Sequence, residues 1–322
     1  MMSEPITCGV SFFPPNWIDL SAAVYAEELG FDALWIGEHI AFHIPTFDAL
    51  TAMAAVAART TTIGIGVAAV LLPLRPAAAI AKAASTLDVI SQGRLRLGVG
   101  VGGEFPKEFE AVGVPLAERG RRADEAIAVL RAFWAPGAAS YQGRFVQFQD
   151  VRMEPKPVQP GGPPILVGGR SERAIRRAAT LGDGFMPYMY TPAQYAAARL
   201  RLQHYAAAAG REPTILAMLL HQFIYVADSD AEAQQILAAR LQQVYQQSFT
   251  HLVEKYCTAG TPETCRASLQ AYVAAGVRTF ILAPPVTSAA EFRQQLGIYA
   301  REILPALHTT QGCSLDMPIG RG

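Results

Sequence analysis

The run at residues 75–103, RPAAAIAKAASTLDVISQGRLRLGVGVGG, decides the architecture. Pro76 suits a first helical turn, where its missing N–H costs nothing. Ile80, Ala83, Ala84 and Leu87 then recur at the i, i+3, i+4, i+7 spacing of a helix face turned toward a core. Gln92 and Gly93 stop that helix, and Leu95, Leu97, Val99 and Val101 form the buried strand that follows. A helix feeding a buried strand through a short corner is half of a parallel β/α repeat. The glycines at the strand exit mark the end of the strand where such folds build their sites.

Outward from this unit the same beat recurs. Strands are expected at 8–13, 33–36, 62–72, 94–101, 164–169, 184–187, 214–227 and 277–283. Helices are expected at 18–29, 47–58, 75–91, 118–134, 171–181, 192–209, 230–248, 262–275 and 288–303. Eight strands in alternation with helices predict an α/β fold, a closed (β/α)8 TIM barrel with insertions, over an open sheet. The beat breaks at 135–162, where Phe145, Gln147 and Gln149 alternate with Val146, Phe148 and Asp150 as in a small surface hairpin. One domain is expected over 1–304, followed by a tail at 305–322 without periodicity.

Composition narrows the class. Of 322 residues, 51% are hydrophobic and 17% charged, which supports a large core and argues against disorder. The formal net charge is +0 with no basic run, which argues against a nucleic-acid or membrane-surface partner. No apolar stretch approaches the roughly 20 residues of a membrane span, and the first residues lack the basic and apolar regions of a signal peptide. A cytoplasmic protein is the expectation. Cys8, Cys257, Cys265 and Cys313 have neither metal-ligand spacing nor a disulfide framework, so no metal is expected.

Three places carry chemistry. Gly98, Gly100 and Gly103 match G-x-G-x-x-G after a strand, but Pro106 follows closely and no acidic residue closes a βαβ unit about 20 positions on, as a dinucleotide fingerprint requires. Two readings remain: small residues that let a flat ring lie against the strand end, or a tight turn without a ligand. At Gly168, Gly169, Arg170 and Ser171 a buried strand passes into a helix, presenting free N–H groups, a hydroxyl and a guanidinium to an anion. The plain alternative is a serine that only caps its helix. Glu38 and His39 stand at another strand end, where a histidine can exchange a proton with a bound molecule or serve the fold alone. His39 and His43 have metal-like i, i+4 spacing, but Pro45 and the lack of clustered ligands argue against zinc.

The blocks ALWIGEH, GIGVAAVLLPLRP, STLDVISQGRLRLGVGVG, EFEAVGVPLAERGRRADEAIAVLRAFW, MEPKPVQPGGPPILVGGRS and GDGF, in this order over residues 6–285, resemble the bacterial luciferase-like superfamily, closest to its F420-dependent oxidoreductases. The resemblance implies a TIM barrel that binds coenzyme F420 or FMN. It implies hydride transfer to or from a small organic substrate with F420, or two-component monooxygenation with FMN supplied by a flavin reductase. A flavin-binding barrel without turnover is the reading of a different class. By the same resemblance Ala68 and Ala69 form a cis-peptide bulge behind the ring, and Gly100, Val101 and Gly102 line its edge. Gly169, Arg170 and Ser171 hold the cofactor phosphate, and His39 and Glu104 are catalytic. Phe13, Trp17, His43, Tyr188 and Tyr190 are the expected substrate pocket, and a homodimer is expected because dimers are frequent in the family.

Overall fold

The computed structural model describes residues 5–13 and 19–308. The first part of the chain runs β1 (Thr7–Phe12), α1 (Leu20–Glu28), β2 (Ala33–Ile36), α2 (Ala49–Arg59), β3 (Gly64–Leu71), α3 (Ala77–Ile90), β4 (Leu95–Gly100), α4 (Pro106–Ala111) and α5 (Arg119–Trp134). A hairpin of β5 (Ala139–Gln142) and β6 (Gln147–Val151) follows. Then come β7 (Ile165–Gly168), α6 (Glu172–Leu181), β8 (Gly184–Met186), α7 (Pro192–Ala208), β9 (Ala217–Val226), α8 (Asp230–Tyr245) and α9 (Thr250–Tyr256). The last elements are β10 (Thr258–Gly260), α10 (Pro262–Ala274), β11 (Thr279–Ala283), α11 (Ala289–Ile298) and α12 (Leu304–His308).

Strands β1, β2, β3, β4, β7, β8, β9 and β11 pair in parallel in that order, and β11 pairs back to β1. The eight-stranded barrel is therefore closed, built from the eight segments that the sequence pattern marks as strands. Hairpin β5–β6 is antiparallel, and Phe148 stacks on Phe133 of α5 at 4.6 Å, which ties the excursion to the barrel.

Three details depart from expectation. On α3 the buried face is Ile80, Ala81, Ala84 and Leu87, while Ala83 faces solvent. The helix expected through 248 ends at Tyr245, because Gln246 turns left-handed at φ 54° before α9 begins. At the C-terminus a π-helical turn at Tyr299–Ile303 runs straight into α12, whose Leu307 is buried. The domain body thus extends beyond 304, and the remainder of the expected tail lies outside the described residues.

Two apolar layers hold the barrel. The larger lies between strands and helices; each fully buried Leu or Ile there contributes roughly 2 kcal/mol. The smaller fills the lumen with Ala33, Trp35, Leu166, Met186, Leu219 and Ile281. Trp35 fits because its neighbours on β1 and β3 have no side chain. A Cβ at Gly9 would sit 2.5 Å from the indole nitrogen, and one at Gly66 would overlap the ring. Among the described residues no helix is long and apolar enough to cross a membrane.

Candidate active site

The site stands at the C-terminal ends of the strands, above this plug. On β3, Val67 pairs with Leu97 and Val70 with Val99, so Ala68 and Ala69 bulge opposite the single residue Gly98. The peptide between them is cis. Around the bulge the neighbours are small. A Cβ added at Gly100 would lie 3.6 Å from that of Ala69, and one at Gly168 would lie 3.9 Å from it. Ala68, Ala69, Gly100 and Gly168 thus form a shelf on which no side chain is taller than a methyl, with Leu71 at its edge. Such a shelf fits a planar ring system, as flavins and deazaflavins carry.

A cavity of about 220 Å³ opens on the shelf. Its lining includes Ala68, Ala69, Gly100, Val101, Gly102 and Gly169, all named from the sequence as cofactor contacts. Aromatic rings line it too. Phe13 meets Phe223 at 5.1 Å, and Phe42 meets Tyr245 edge-on at 6.1 Å, spacings that favour ring contacts.

His39 enters the cavity from the end of β2. Its Nδ1 lies 3.3 Å from both carboxylate oxygens of Glu108, which is fully buried on α4 and also accepts the Ile40 N–H at 3.2 Å. An ionised carboxylate only accepts, so Nδ1 carries the proton and Nε2 keeps its lone pair. Phe42 stacks on the imidazole at 4.0 Å and 10°, fixing its plane. The glutamate that meets His39 is Glu108, a residue not named from the sequence. Glu104 lines the cavity, where it accepts a 2.7 Å hydrogen bond from the Tyr188 hydroxyl. The cause is α4, which the sequence reading did not contain: one and a half turns are too few for a periodic pattern, yet they turn Glu108 inward.

Two further groups stand in the wall: Glu38, which the sequence places beside His39 without a role of its own, and His221, which was not singled out from the sequence. Glu38 is buried in the cavity wall, where it accepts from the Ala49 and Leu71 N–H groups and pairs with Arg75 at 3.0 Å. Burial pushes its carboxyl above the ordinary range, against the pull of Arg75. Arg75 is shared with Asp48, so its charge is already met on both sides. His221 of β9 also lines the cavity, and its Nδ1 is sealed from solvent without any hydrogen-bond partner. Burial pushes this imidazole down to about 4, against a weaker opposing pull from its own backbone. Two polar residues, His221 and Gln222, inside the otherwise apolar run LLHQFIYV were the available signal.

The remaining expected residues divide. Phe13 and Tyr188 line the cavity. His43 does not; it packs beside Phe42 and against Phe105 at 4.8 Å. Tyr190 is buried outside the cavity, where its hydroxyl donates to the Arg170 carbonyl at 3.0 Å and its own carbonyl accepts from Tyr272 at 2.8 Å. Trp17 lies outside the described residues. Ser171 caps α6, accepting from the Ala174 N–H at 3.2 Å, and this leaves its hydroxyl proton free to donate. Arg170 is exposed, its guanidinium 5.7 Å and 5.8 Å from the centres of the Tyr188 and Tyr256 rings.

A closed parallel barrel with a small-residue shelf and a histidine at its C-terminal mouth defines a class, and the comparisons give the family. The model of the luciferase-like monooxygenase family matches residues 20–279, and the chain belongs to that family. Among curated relatives, pyrimidine monooxygenase RutA of Acinetobacter baylyi is 31% identical over 223 residues, covering 65% of this chain and 58% of that protein. The F420-dependent glucose-6-phosphate dehydrogenase of Amycolatopsis mediterranei is 32% identical over 174 residues, 51% of each chain. The chain thus spans about half the length of the curated relatives it matches. Among solved structures, monooxygenase RslO1 from Streptomyces bottropensis superposes with a TM-score of 0.81 at 26% identity, covering 93% of this chain and 99% of that one.

Proposed function

We propose that this chain is an F420-dependent oxidoreductase that moves a hydride between the deazaflavin and a small organic substrate. The observation that carries this reading is the His39–Glu108 pair beside a cavity that opens on a planar shelf. The ring would lie against Ala68, Ala69, Gly100, Val101 and Gly102, with its phosphate near Gly169, Arg170 and Ser171 at the start of α6. When bound, the deazaflavin supplies the hydride acceptor or donor. The chain must then handle the proton. Oxidation of an alcohol carbon sends its hydroxyl proton to a base, and the reverse reaction needs an acid. His39 Nε2 is the free nitrogen for that exchange, while Glu108 holds Nδ1 and stabilises the imidazolium that forms. Phe13, Phe42 and Tyr245 keep water from the exchange.

RutA and RslO1 are named as monooxygenases and favour a second reading, in which the same shelf holds FMN reduced by a partner flavin reductase. Fluorescence titration of the purified chain with F420 and with FMN, each oxidised and reduced, tests the two. Tight F420 binding with weak FMN binding supports hydride transfer. Preference for reduced FMN overturns it in favour of oxygen chemistry.

A further inference from the structure

Two histidines line the cavity, and their surroundings give them opposite tautomers. At His39 the carboxylate of Glu108 holds the proton on Nδ1. At His221, Nδ1 is sealed in protein and has no partner. An orphaned N–H in such a place is rarer and costlier than an orphaned lone pair. The one alternative is weak donation from the ring to His221's own backbone, outside hydrogen-bond geometry at Nδ1, so the packing favours the proton on Nε2. That nitrogen makes no hydrogen bond either and, unlike Nδ1, is not sealed. Phe223 packs edge-on to the imidazole at 5.2 Å, and the His221 N–H is anchored to the Pro187 carbonyl at 3.0 Å, so the ring is held in place. The cavity therefore offers one nitrogen acceptor, on His39, and one nitrogen donor, on His221.

The charge of the lining narrows what this donor can meet. Among the described residues, no Lys or Arg lines the cavity. Glu38 is held by Arg75, and Glu104 takes the Tyr188 hydroxyl. An anionic substrate in the chamber would face the Glu104 carboxylate and, among the described residues, no lysine or arginine in the lining, since Arg170 stands outside it at the start of α6, where the cofactor phosphate is proposed. A neutral oxygen finds a donor and an acceptor in a chamber lined mostly by aromatic and aliphatic side chains.

We propose that His221 Nε2–H is the hydrogen-bond donor to the substrate oxygen, and that it selects uncharged ketones or alcohols on a ring-bearing apolar frame over phosphorylated or carboxylated ones. The inference rests on the cavity being the substrate site of the proposed oxidoreductase. It separates this chain from its relative named for glucose 6-phosphate, whose substrate is an anion.

The test uses the full chain labelled with ¹⁵N-histidine, with acetophenone, 1-phenylethanol and glucose 6-phosphate as probes. Loss of one imidazole signal in His221→Gln assigns it among the six histidines. The signal should show the Nε2–H pattern, shift on adding acetophenone or 1-phenylethanol, and stay put with glucose 6-phosphate. His221→Phe should weaken the dissociation constant for acetophenone about tenfold, the loss of one hydrogen bond, and raise the thermal midpoint by removing an unsatisfied buried atom. His221→Gln should keep binding within about threefold because it restores a donor. An Nδ1–H pattern overturns the proposal, as does a signal that no neutral probe moves, a response to glucose 6-phosphate, or unchanged binding in His221→Phe. Cofactor titration runs separately. A chain that binds neither F420 nor FMN yet shows the acetophenone response loses the proposed function and keeps this donor; a chain that binds F420 with a silent His221 does the reverse.

Discussion

The two ends of the barrel use polar groups in opposite ways. At the N-terminal end they are saturated. Glu27 at the end of α1 accepts the Thr61, Thr62 and Ile63 N–H groups at 2.9, 2.6 and 2.8 Å. Arg94, just ahead of β4, donates to the carbonyls of Ala57, Thr60, Ile63 and Ser91 and to the Thr60 hydroxyl. Asp88 takes both the backbone and the side-chain N–H of Gln159. At the C-terminal end the groups are held but unfinished: His39 has one nitrogen committed, and His221 Nδ1 has no partner at all.

The sharpest way to break this contrast is at the top. His39→Ala should lower turnover by about 10²–10⁴-fold, the usual worth of a positioned acid–base group, while the thermal midpoint scarcely moves. Steady-state kinetics beside a melting curve would show it. Next, Gly100→Leu places a branched side chain over Ala69 and should weaken cofactor binding about a hundredfold or more, measured by fluorescence titration, because an overfilled contact costs up to about 3 kcal/mol.

At the bottom the signs exchange. Arg94→Ala strands carbonyls from four residues and should cost about 3 kcal/mol by urea unfolding, with cofactor affinity unchanged. The smallest effect belongs to Glu27. Burial nudges its carboxyl up, but the N–H groups of Ile63, Thr62 and Thr61 outweigh this and bring it down to about 2. A depressed acid stabilises the fold above its unfolded value of 4.5, and that stabilisation is lost as pH falls toward about 2. Glu27→Gln should therefore cost about 1 kcal/mol at neutral pH, after discounting for solvent screening, and the gap between variant and wild type should close on acidification. Unfolding curves at several pH values would follow it.

How far these ends were legible follows from the range of each signal. Barrel strands such as Leu95–Gly100 and Thr279–Ala283 announce themselves because their apolar residues are consecutive or alternate within one segment. The shelf was readable for a related reason, since Ala68, Ala69 and Gly100 sit at strand ends inside recognisable blocks. Glu108 was not. Its importance depends on His39, 69 positions away, and on the short helix that aims it. Its neighbour Glu104 has the same chemistry and looks no different in sequence. His221 needed more still, because the absence of a partner is a property of packing that no local pattern records. Ser171 was legible as the cap of its helix, and the geometry leaves its hydroxyl proton free to donate.

Trp35 and the residues that fill the lumen with it have a consequence for traffic. A barrel stoppered along its axis is a well and not a tunnel, so nothing crosses from one end to the other. Whatever rests on the shelf beneath a second molecule must arrive before it and depart after it. Sequence of arrival becomes a matter of depth, and an enzyme so built would show compulsory-order kinetics without any moving part to enforce them.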